Sequence, residues 1–288
     1  SRIHKDWIAL AIKYKLWVNA CHQDDLIILD QFHKENGNCP EIHLKFDTGM
    51  TRLGFDPKET QKVIKYLSDH TYLPVNGIYS HFSTADEGDL SYADSQLKKF
   101  NRILDICKDS DIQFAYIHCS NSGGILNLDQ DKMSHIRVGM LLYGAFPSNE
   151  VPKKLDILPV MEFRASVVQV RNVKSGTKVS YGGVYETKAD THIGVIQCGF
   201  ADGFPRPWYD GGYVSYEGRK LNIAGRICMD QFMVDFEELS PNIGDEVLLF
   251  GKNDGDMIKM ESIADHIKST PYVLATSIQG RTKRIYKD

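Results

Sequence analysis

Charged and imidazole side chains follow the apolar runs in the first half of this 288-residue chain. In the stretch HLKFDTGMTRLGF, Lys45 and Asp47 share one face of a strand by period two, and Arg52 follows a Thr-Gly turn. His81 ends another run, in SHFSTADE, where an imidazole can exchange protons or hydrogen-bond. Parallel α/β barrels build their sites at such strand ends. Each stretch alone also fits a surface ion-pair cluster or a satisfied core histidine.

A second group of residues has the chemistry of a phosphate site. Asn121 and Ser122 begin a polar, glycine-containing turn that opens a helix in IHCSNSGGIL, so that a hydroxyl group and backbone N–H groups can converge on a phosphate. Gly139 and the backbone of Met140 lie at the next predicted strand end, in RVGMLLYG. Arg137 heads that apolar run, and it is either a solvated strand end or a guanidinium aimed into a closed site.

The second half of the chain places further reactive side chains in turns bounded by glycine. The stretches are VSYGGVYE, GFADGFPR and GRICMDQFMVDF, and their side chains are Tyr181, Arg206 and the pair Met229 and Asp230. Turns in β domains often hold Gly, Tyr and Asp for shape alone. No single motif of this group therefore decides for a function.

The elements that position these residues form two parts of the chain with different hydrophobic patterns. Helical patterns alternate with five apolar runs that we predict to be buried strands, namely KLWVNA, IHLKFD, VNGIYS, FAYIH and IRVG. In one connection, Asp56 is the predicted N-cap, Pro57 the first helical residue and Glu59 the partner that closes a capping box. The later segments alternate as strands, and only KMESIADHIKS looks helical. The sequence predicts an α/β domain over 1–157 and a mostly β domain over 158–288.

Composition narrows the class of partner. The 34 basic and 38 acidic side chains leave a net charge of −4 without a block of either sign, so neither a nucleic-acid nor a membrane partner is expected. No apolar run approaches the roughly 18 residues of a membrane span. The six cysteines show no CxxC pair or zinc-like spacing, which predicts no metal site and a reducing compartment. Without a signal-peptide pattern, we expect a cytoplasmic protein with a small-molecule partner.

Taken in order, seven motifs resemble those of the alanine racemase family, whose members are fold-type-III enzymes that use pyridoxal 5′-phosphate. The motifs are KFDTGMTRLGF, SHFSTADE, HCSNSGG, RVGMLLYG, VSYGGVY, GFADGFPR and GRICMDQFMVDF. The resemblance implies an α/β fold, a (β/α)8 TIM-type barrel followed by a β domain. It also implies a homodimer in which each β domain completes the other subunit's site. The implied reaction interconverts L-alanine and D-alanine through a pyridoxal-phosphate aldimine by two-base proton transfer, which supplies D-alanine for peptidoglycan.

The resemblance assigns residues to the cofactor. Arg137 would donate to the pyridine nitrogen, and His81 would hydrogen-bond Arg137 on one side and reach toward Tyr181 on the other. Arginine effectively never loses its proton, so the ring nitrogen would stay unprotonated and the ring would be a weakened electron sink, which favours racemisation over transamination. The phosphate would be held by Asn121, Ser122 and the backbone of Gly139 and Met140.

The resemblance also assigns residues to the substrate. Tyr181 resembles the base that works on the L-isomer and is supplied across the dimer. Arg52 would face the substrate carboxylate and the phenolic oxygen of the cofactor. Lys45 matches a position that is carbamylated in several members, where the new anion orients the arginine. Two further residues would contact the substrate, Met229 and Asp230, and three would line the entrance, Asp86, Phe200 and Arg206.

The chain departs from the family pattern at its beginning. Nothing matches the Ala-Asn-Ala-Tyr-Gly-type motif whose lysine forms the Schiff base and acts as the base for the D-isomer. Five strands are predicted where a closed barrel has eight, so we expect three further βα units of roughly 30 residues each outside this sequence. Phe200 replaces a usual tyrosine at the inner gate, and Gly280 stands where some members place a phosphate-binding tyrosine.

Two alternatives to an alanine racemase remain open from the sequence. A racemase for serine or another small amino acid would use the same residues. A non-catalytic pyridoxal-phosphate-binding protein would follow if the native chain has no Schiff-base lysine. Decarboxylases of the same fold type do not fit, because their cysteine-aspartate substrate motif is absent.

Overall fold

The computed structural model describes residues 2–253 and 255–287, and the chain divides into two compact units. The first unit comprises residues 2–139 and 150–152, and the second comprises the remainder. The predicted domain boundary between residues 157 and 158 stays a prediction. No helix among the described residues has both the length and the apolar character that crossing a membrane requires.

The first unit is an α/β layer around a parallel sheet. Its strands are β1 (Val18–Ala20), β2 (Ile42–Lys45), β3 (Val75–Tyr79) and β4 (Tyr116–His118). They pair in chain order and all in parallel. Its helices are α1 (Lys5–Lys13), α2 (Gln23–Asn36), α3 (Thr60–Asp69), α4 (Ser91–Asp109) and α5 (Ser122–Asn127). Sheet and helices share one apolar core. Closure into an eight-stranded barrel, with three units outside this sequence, stays a prediction.

The predicted helix start at Asp56 is confirmed in its chemistry. The carboxylate of Asp56 accepts a hydrogen bond from the backbone N–H of Lys58 at 2.8 Å, and the carboxylate of Glu59 accepts one from the backbone N–H of Asp56 at 3.1 Å. This capping box opens a 3-10 turn, Pro57–Glu59, that continues directly into α3. The apolar stripe of α3 is buried, which fixes the connection between β2 and β3.

The fifth predicted strand, IRVG, is wrong. Residues 136–139 form an irregular segment that pairs with none of the strands in the described part of the chain. The N–H groups of Ser134 and His135 both donate to the carbonyl of Ile117, and no backbone hydrogen bond in the described part of the chain continues this pairing beyond His135. Ile136 is 58% exposed and Val138 is 36% exposed, so the segment lacks the two buried faces of a central parallel strand.

The second unit is mostly β, with one large antiparallel sheet. Its strands are β5 (Phe163–Val173), β6 (Lys178–Val179), β7 (Tyr185–Glu186), β8 (Thr191–Ile196), β9 (Tyr213–Tyr216), β10 (Arg219–Asn222), β11 (Phe232–Asp235), β12 (Glu246–Asn253) and β13 (Asp256–Ile258). The large sheet runs in the order β10-β9-β12-β5-β8-β11, with β13 paired to β12, and β6 pairs with β7 alone. The sheet buries a core rich in phenylalanine.

This unit has two α-helices in its described part, where the sequence predicted one. The predicted helix is α6 (Met260–His266), and the additional helix is α7 (Pro271–Ser277). Pro271 occupies the first turn of α7, a position where proline costs no backbone hydrogen bond. The short PYVLATS segment has no long helical period, so its sequence did not separate it from the strands around it.

Candidate active site

Three strands of the first unit end side by side. Lys45, the last residue of β2, pairs with Tyr79, the last residue of β3, and Tyr79 pairs with His118, the last residue of β4. The strands are parallel, so their carboxyl ends form one edge of the sheet. His81 follows β3 at the same edge. Ligand sites of parallel α/β folds lie at this edge.

Arg137 reaches this edge through its side chain. Its Nη1 donates to Nδ1 of His118, and its Nη2 donates to the carbonyls of Ser80 at 2.8 Å and Cys119 at 3.2 Å. Nη2 also lies 3.1 Å from Nδ1 of His81, which is the hydrogen bond that the resemblance implies. The guanidinium carbon lies 5.1 Å from the ring centroid of Tyr79. The terminal nitrogens are therefore anchored to the ends of two strands.

The charge of Arg137 has no anionic side chain beside it. Among residues 2–253 and 255–287, no carboxylate lies within ion-pair distance of this guanidinium. Burial lowers the pKa of Arg137 from its ordinary value, although arginine still keeps its proton. None of the hydrogen bonds described for this part of the chain uses Nε of Arg137. A half-buried cation with an unused N–H donor fits an acceptor from a bound ligand.

Both histidines that contact Arg137 are neutral. Burial, with the nearby charge of Arg137, lowers the pKa of His81 to about 4 and that of His118 to about 3. Arginine can only donate hydrogen bonds, so the Nδ1 atom of each imidazole is the acceptor and its proton is on Nε2. The site therefore has one fixed positive charge next to two uncharged rings.

The four phosphate candidates divide between the two units. The side chain of Asn121 caps α5 by accepting from the N–H of Gly124 at 2.9 Å. The hydroxyl oxygen of Ser122 accepts from the N–H of Gly139 at 3.1 Å. These contacts bring the start of α5 and the segment after Arg137 together. Met140 belongs to the second unit, where it begins a 3-10 turn, Met140–Tyr143.

Lys45 and Arg52 lie on either side of a tight turn. The carboxylate of Asp47 accepts from the N–H groups of Gly49 at 2.9 Å, Thr51 at 3.0 Å and Arg52 at 2.9 Å, which holds the turn. The side chain of Arg52 is exposed. Lys45 is only 7% exposed, and burial lowers the pKa of its amine. In the described chain, no carboxylate lies within ion-pair distance of Lys45, and its Nζ lies 5.7 Å from the ring centroid of Tyr79.

The candidate residues of the second unit lie on exposed turns. Tyr181 begins a 3-10 turn, Tyr181–Gly183, and its side chain is 67% exposed. The preceding residue, Ser180, has a positive φ of 65° and donates its hydroxyl to the carbonyl of Arg226 at 2.7 Å. Met229 is 56% exposed. Both side chains are therefore open to solvent.

An arginine that the sequence did not single out fixes the turn at Met229. Arg281 donates to the carboxylate of Asp202 at 2.6 and 3.2 Å and to that of Asp230 at 2.5 Å. The carboxylate of Asp202 in turn accepts from the N–H of Gly199 at 2.8 Å, and the carbonyl of Met229 accepts from the N–H of Ala201 at 3.0 Å. Two predicted motifs, GFADG and CMDQ, are thus joined into one surface.

The three entrance candidates belong to different units, Phe200 and Arg206 to the second and Asp86 to the first. In the second unit, the guanidinium carbon of Arg206 lies 6.0 Å from the ring centroid of Phe200, and both side chains are exposed. In the first unit, Asp86 is half-buried, and burial raises the pKa of its carboxyl group.

Two family models match successive parts of the chain. The family model "Alanine racemase, N-terminal domain" matches residues 2–147, and "Alanine racemase, C-terminal domain" matches residues 160–286. The alanine racemase of Desulforamulus reducens is 36% identical over 287 residues, which cover 99% of this chain and 77% of that protein. This chain belongs to the alanine racemase family.

Solved structures of alanine racemases agree with this membership. The enzyme of Streptomyces lavendulae matches with a TM-score of 0.88 at 32% identity, over 96% of this chain and 74% of that chain. The alanine racemase of Bartonella henselae, solved with covalently bound pyridoxal phosphate, matches with a TM-score of 0.82 at 28% identity, over 97% of this chain and 75% of that chain.

Two members of the Arg137 cluster were missed from the sequence of this racemase-family chain. His118 lies in the quoted motif IHCSNSGG, and Tyr79 ends the run VNGIYS, but both read as core residues of buried strands. Their position as the last residues of neighbouring strands is the signal that could have found them, because such residues share the functional edge.

Proposed function

We propose that this protein is an alanine racemase that interconverts L-alanine and D-alanine with pyridoxal 5′-phosphate. Family membership supports the reaction class. The observation that carries the proposal is the half-buried guanidinium of Arg137, which has no carboxylate partner in the described chain and has an Nε–H that none of its described hydrogen bonds uses.

Arg137 is the residue we assign to the pyridine nitrogen of the cofactor. When bound, pyridoxal phosphate delocalises the charge that is left at the substrate α-carbon. A permanently protonated arginine donates a hydrogen bond without giving up its proton, so it limits that delocalisation. His81 and His118 hold the guanidinium from the other side as neutral acceptors. This arrangement favours return of the proton to the α-carbon, which is racemisation.

We assign the phosphate to the segments that Ser122 brings together. The hydroxyl of Ser122 and the backbone of Gly139 are already in contact, and Asn121 fixes the turn beside them. Met140 would add its backbone N–H. These neutral donors, next to the cationic Arg137, suit an anionic group.

We assign the substrate carboxylate to Arg52, with Met229 and Asp230 of the partner subunit's β domain beside it. We also propose a carbamate on Lys45. Its pKa is lowered by burial, and the neutral amine is the form that attacks carbon dioxide, forming an N–C bond and releasing a proton. The resulting anion would balance the charge of Arg52. An intact mass 44 Da above the lysine form would be the signature, about the mass of one CO2.

Tyr181 is the residue we assign to the α-proton of L-alanine, across a homodimer whose entrance residues are Asp86, Phe200 and Arg206. The six cysteines are free thiols, which suits the reducing cytoplasm where we place the protein. Mixing a Tyr181→Phe chain with an Arg137→Lys chain tests the shared site. Hybrid dimers hold one intact site, so mixing should restore about a quarter of the wild-type activity.

The activity itself is tested by chiral chromatography of alanine after incubation with the protein and pyridoxal phosphate. We expect D-alanine from L-alanine, faster than D-serine from L-serine, and a loss of this activity in Tyr181→Phe but not in the exposed control Tyr286→Phe. Borohydride reduction followed by intact mass measurement detects a covalent cofactor. Absence of both turnover and adduct would instead identify a non-catalytic cofactor-binding protein, and preference for serine would overturn the substrate.

A further inference from the structure

A second imidazole lies behind His118. His43, in the middle of β2, is 7% exposed, and its Nδ1 lies 3.1 Å from Nε2 of His118. Its ring stacks on Tyr116 at 5.6 Å between centroids and lies 4.8 Å from the ring of Trp17. This position makes His43 part of a buried chain that continues through His118 to Arg137.

The imidazole of His43 fits because the residue opposite it on β3, Gly77, has no side chain. Gly77 is its partner in the register of β2 and β3, and a Cβ at residue 77 would overlap the imidazole ring. A side chain at position 77 would therefore displace His43 from His118. The glycine is needed for close approach of the ring and not for its backbone angles, because its φ is not in the left-handed region.

The protons along this chain follow from the donor at its end. Arg137 only donates, so Nδ1 of His118 must accept and the proton of His118 must be on Nε2. That N–H can only donate to Nδ1 of His43, which places the proton of His43 on Nε2 as well. Burial lowers the pKa values of both rings, which favours the neutral forms that this hydrogen-bond pattern requires.

The series of hydrogen bonds from Arg137 through His118 ends at His43. Nε2 of His43 is buried and has no hydrogen-bond partner among residues 2–253 and 255–287. If His43 served packing alone, an apolar ring at this position would avoid that unsatisfied N–H. The acceptor at Nδ1 is the property that an apolar ring would lose.

We propose that His43 is a positioning residue that fixes the tautomer of His118 and thereby the orientation of the Arg137 guanidinium. As the acceptor for Nε2–H of His118, His43 keeps the lone pair of His118 Nδ1 turned toward Nη1 of Arg137. With Nη1 and Nη2 held, Nε of Arg137 keeps one direction. The effect of His43 on catalysis rests on the proposed function. The tautomers assigned to His43 and His118 hold whether or not the protein is a racemase.

Nitrogen NMR of the protein labelled with 15N-histidine tests the tautomers without any turnover. Assignment uses the variants of His43 and His118. We expect a single tautomer for each of His43 and His118, protonated at Nε2 and unprotonated at Nδ1. Protonation of His43 at Nδ1, or a mixture of tautomers at His118, would overturn the proposal whether or not the protein is a racemase.

Kinetics of the holoenzyme provide the second test. His43→Leu removes the acceptor, and we expect kcat to fall roughly tenfold with KM for alanine changed less than about twofold, as for one lost buried hydrogen bond. His43→Asn presents an amide oxygen near the position of Nδ1 and should recover most of kcat. Gly77→Ala displaces the ring and should resemble His43→Leu. The matched control is His135→Leu, which removes an exposed imidazole from the other contact of Tyr116.

The outcomes separate the two proposals. If the wild-type protein does not racemise alanine, the proposed function fails and the NMR result still decides the tautomers. If it does racemise alanine and His43→Leu keeps full kcat, the positioning role is wrong. Equal loss in His43→Asn and His43→Leu, with both variants folded by circular dichroism, would assign His43 to packing and would also overturn the proposal.

Discussion

Replacing Gly123 with alanine tests the contact that brings Ser122 to the loop after β3. Gly123 is buried in the first turn of α5. A Cβ at this position would come within 2.7 Å of the carbonyl group of Ala85 and the backbone nitrogen of Asp86. Ordinary contacts begin at 3.4 Å, so one of the two segments must move by about 0.7 Å. Because both sides are backbone, no side-chain rotation relieves the overlap.

The size of the effect follows from two opposing contributions. Overpacking a close-packed interior costs about 1–3 kcal/mol, and alanine regains up to about 1 kcal/mol over glycine in a helix. We expect the free energy of unfolding to fall by about 1–2 kcal/mol, or the Tm by roughly 2–8 °C. Moving the hydroxyl of Ser122 away from a bound phosphate removes one charge-assisted hydrogen bond, which should weaken cofactor binding about tenfold.

Thermal unfolding followed by circular dichroism and titration with pyridoxal phosphate followed by absorbance measure the two effects. The matched control for stability is Gly139→Ala, whose Cβ would lie 3.6 Å from the hydroxyl oxygen of Ser122, an ordinary contact. We expect the free energy of unfolding of this control to lie within about 0.5 kcal/mol of the wild-type value. A Gly123→Ala protein with wild-type Tm and wild-type cofactor affinity would refute the reasoning from this contact.

Three further predictions concern charge. Arg137→Lys replaces two anchored nitrogens by one, so a charged group loses two hydrogen bonds and kcat for alanine should fall at least about a hundredfold. Steady-state kinetics measure kcat, and a near-wild-type rate would contradict this prediction. Arg281→Ala frees the carboxylate of Asp230 and should raise KM for alanine more than it lowers kcat, whereas an unchanged KM would mean that the turn needs no clamp. Because the folded-state pKa values of His81 (about 4) and His118 (about 3) lie below the ordinary value of 6.5, the unfolded chain binds more protons between these limits. Stability from these rings is complete above pH 6.5 and decreases as pH falls toward 3, which urea unfolding at a series of pH values checks against a His81→Gln variant.

The sequence was most informative where local chemistry determines structure. The capping box at Asp56 needs only residues within one turn, and the apolar runs before Lys45 and His81 locate strand ends to within a few residues. The strand at residues 136–139 was predicted from the same kind of run and is wrong. Whether an apolar segment pairs as a strand depends on a neighbouring edge, and here the backbone pairing beside β4 ends at Ser134 and His135.

The site was less predictable than the elements that support it. Arg137 was singled out because a charge at the head of an apolar run is unusual, and its anchor at His81 was implied by the resemblance. His118 was not singled out, because an imidazole inside a buried strand looks like an ordinary core residue. Its importance comes from the parallel register that sets it beside Tyr79 and from a guanidinium 19 residues away in the chain. Such contacts exist only after the chain has folded.

Lys45 and Arg137 both lie close to the Tyr79 ring, and their charges have a consequence for the protein without a bound ligand. The chain as a whole has a net charge of −4, yet the buried Lys45, while it is unmodified and protonated, and the half-buried Arg137 have no carboxylate in ion-pair contact within the described part. An anion bound from solution would relieve their repulsion, as the proposed carbamate on Lys45 also would, so anion binding and folding are thermodynamically linked. Phosphate or sulfate in a buffer should therefore stabilise the empty protein more than an equal ionic strength of chloride. The same ions should compete with pyridoxal phosphate, which makes the measured cofactor affinity a property of the buffer as well as of the protein.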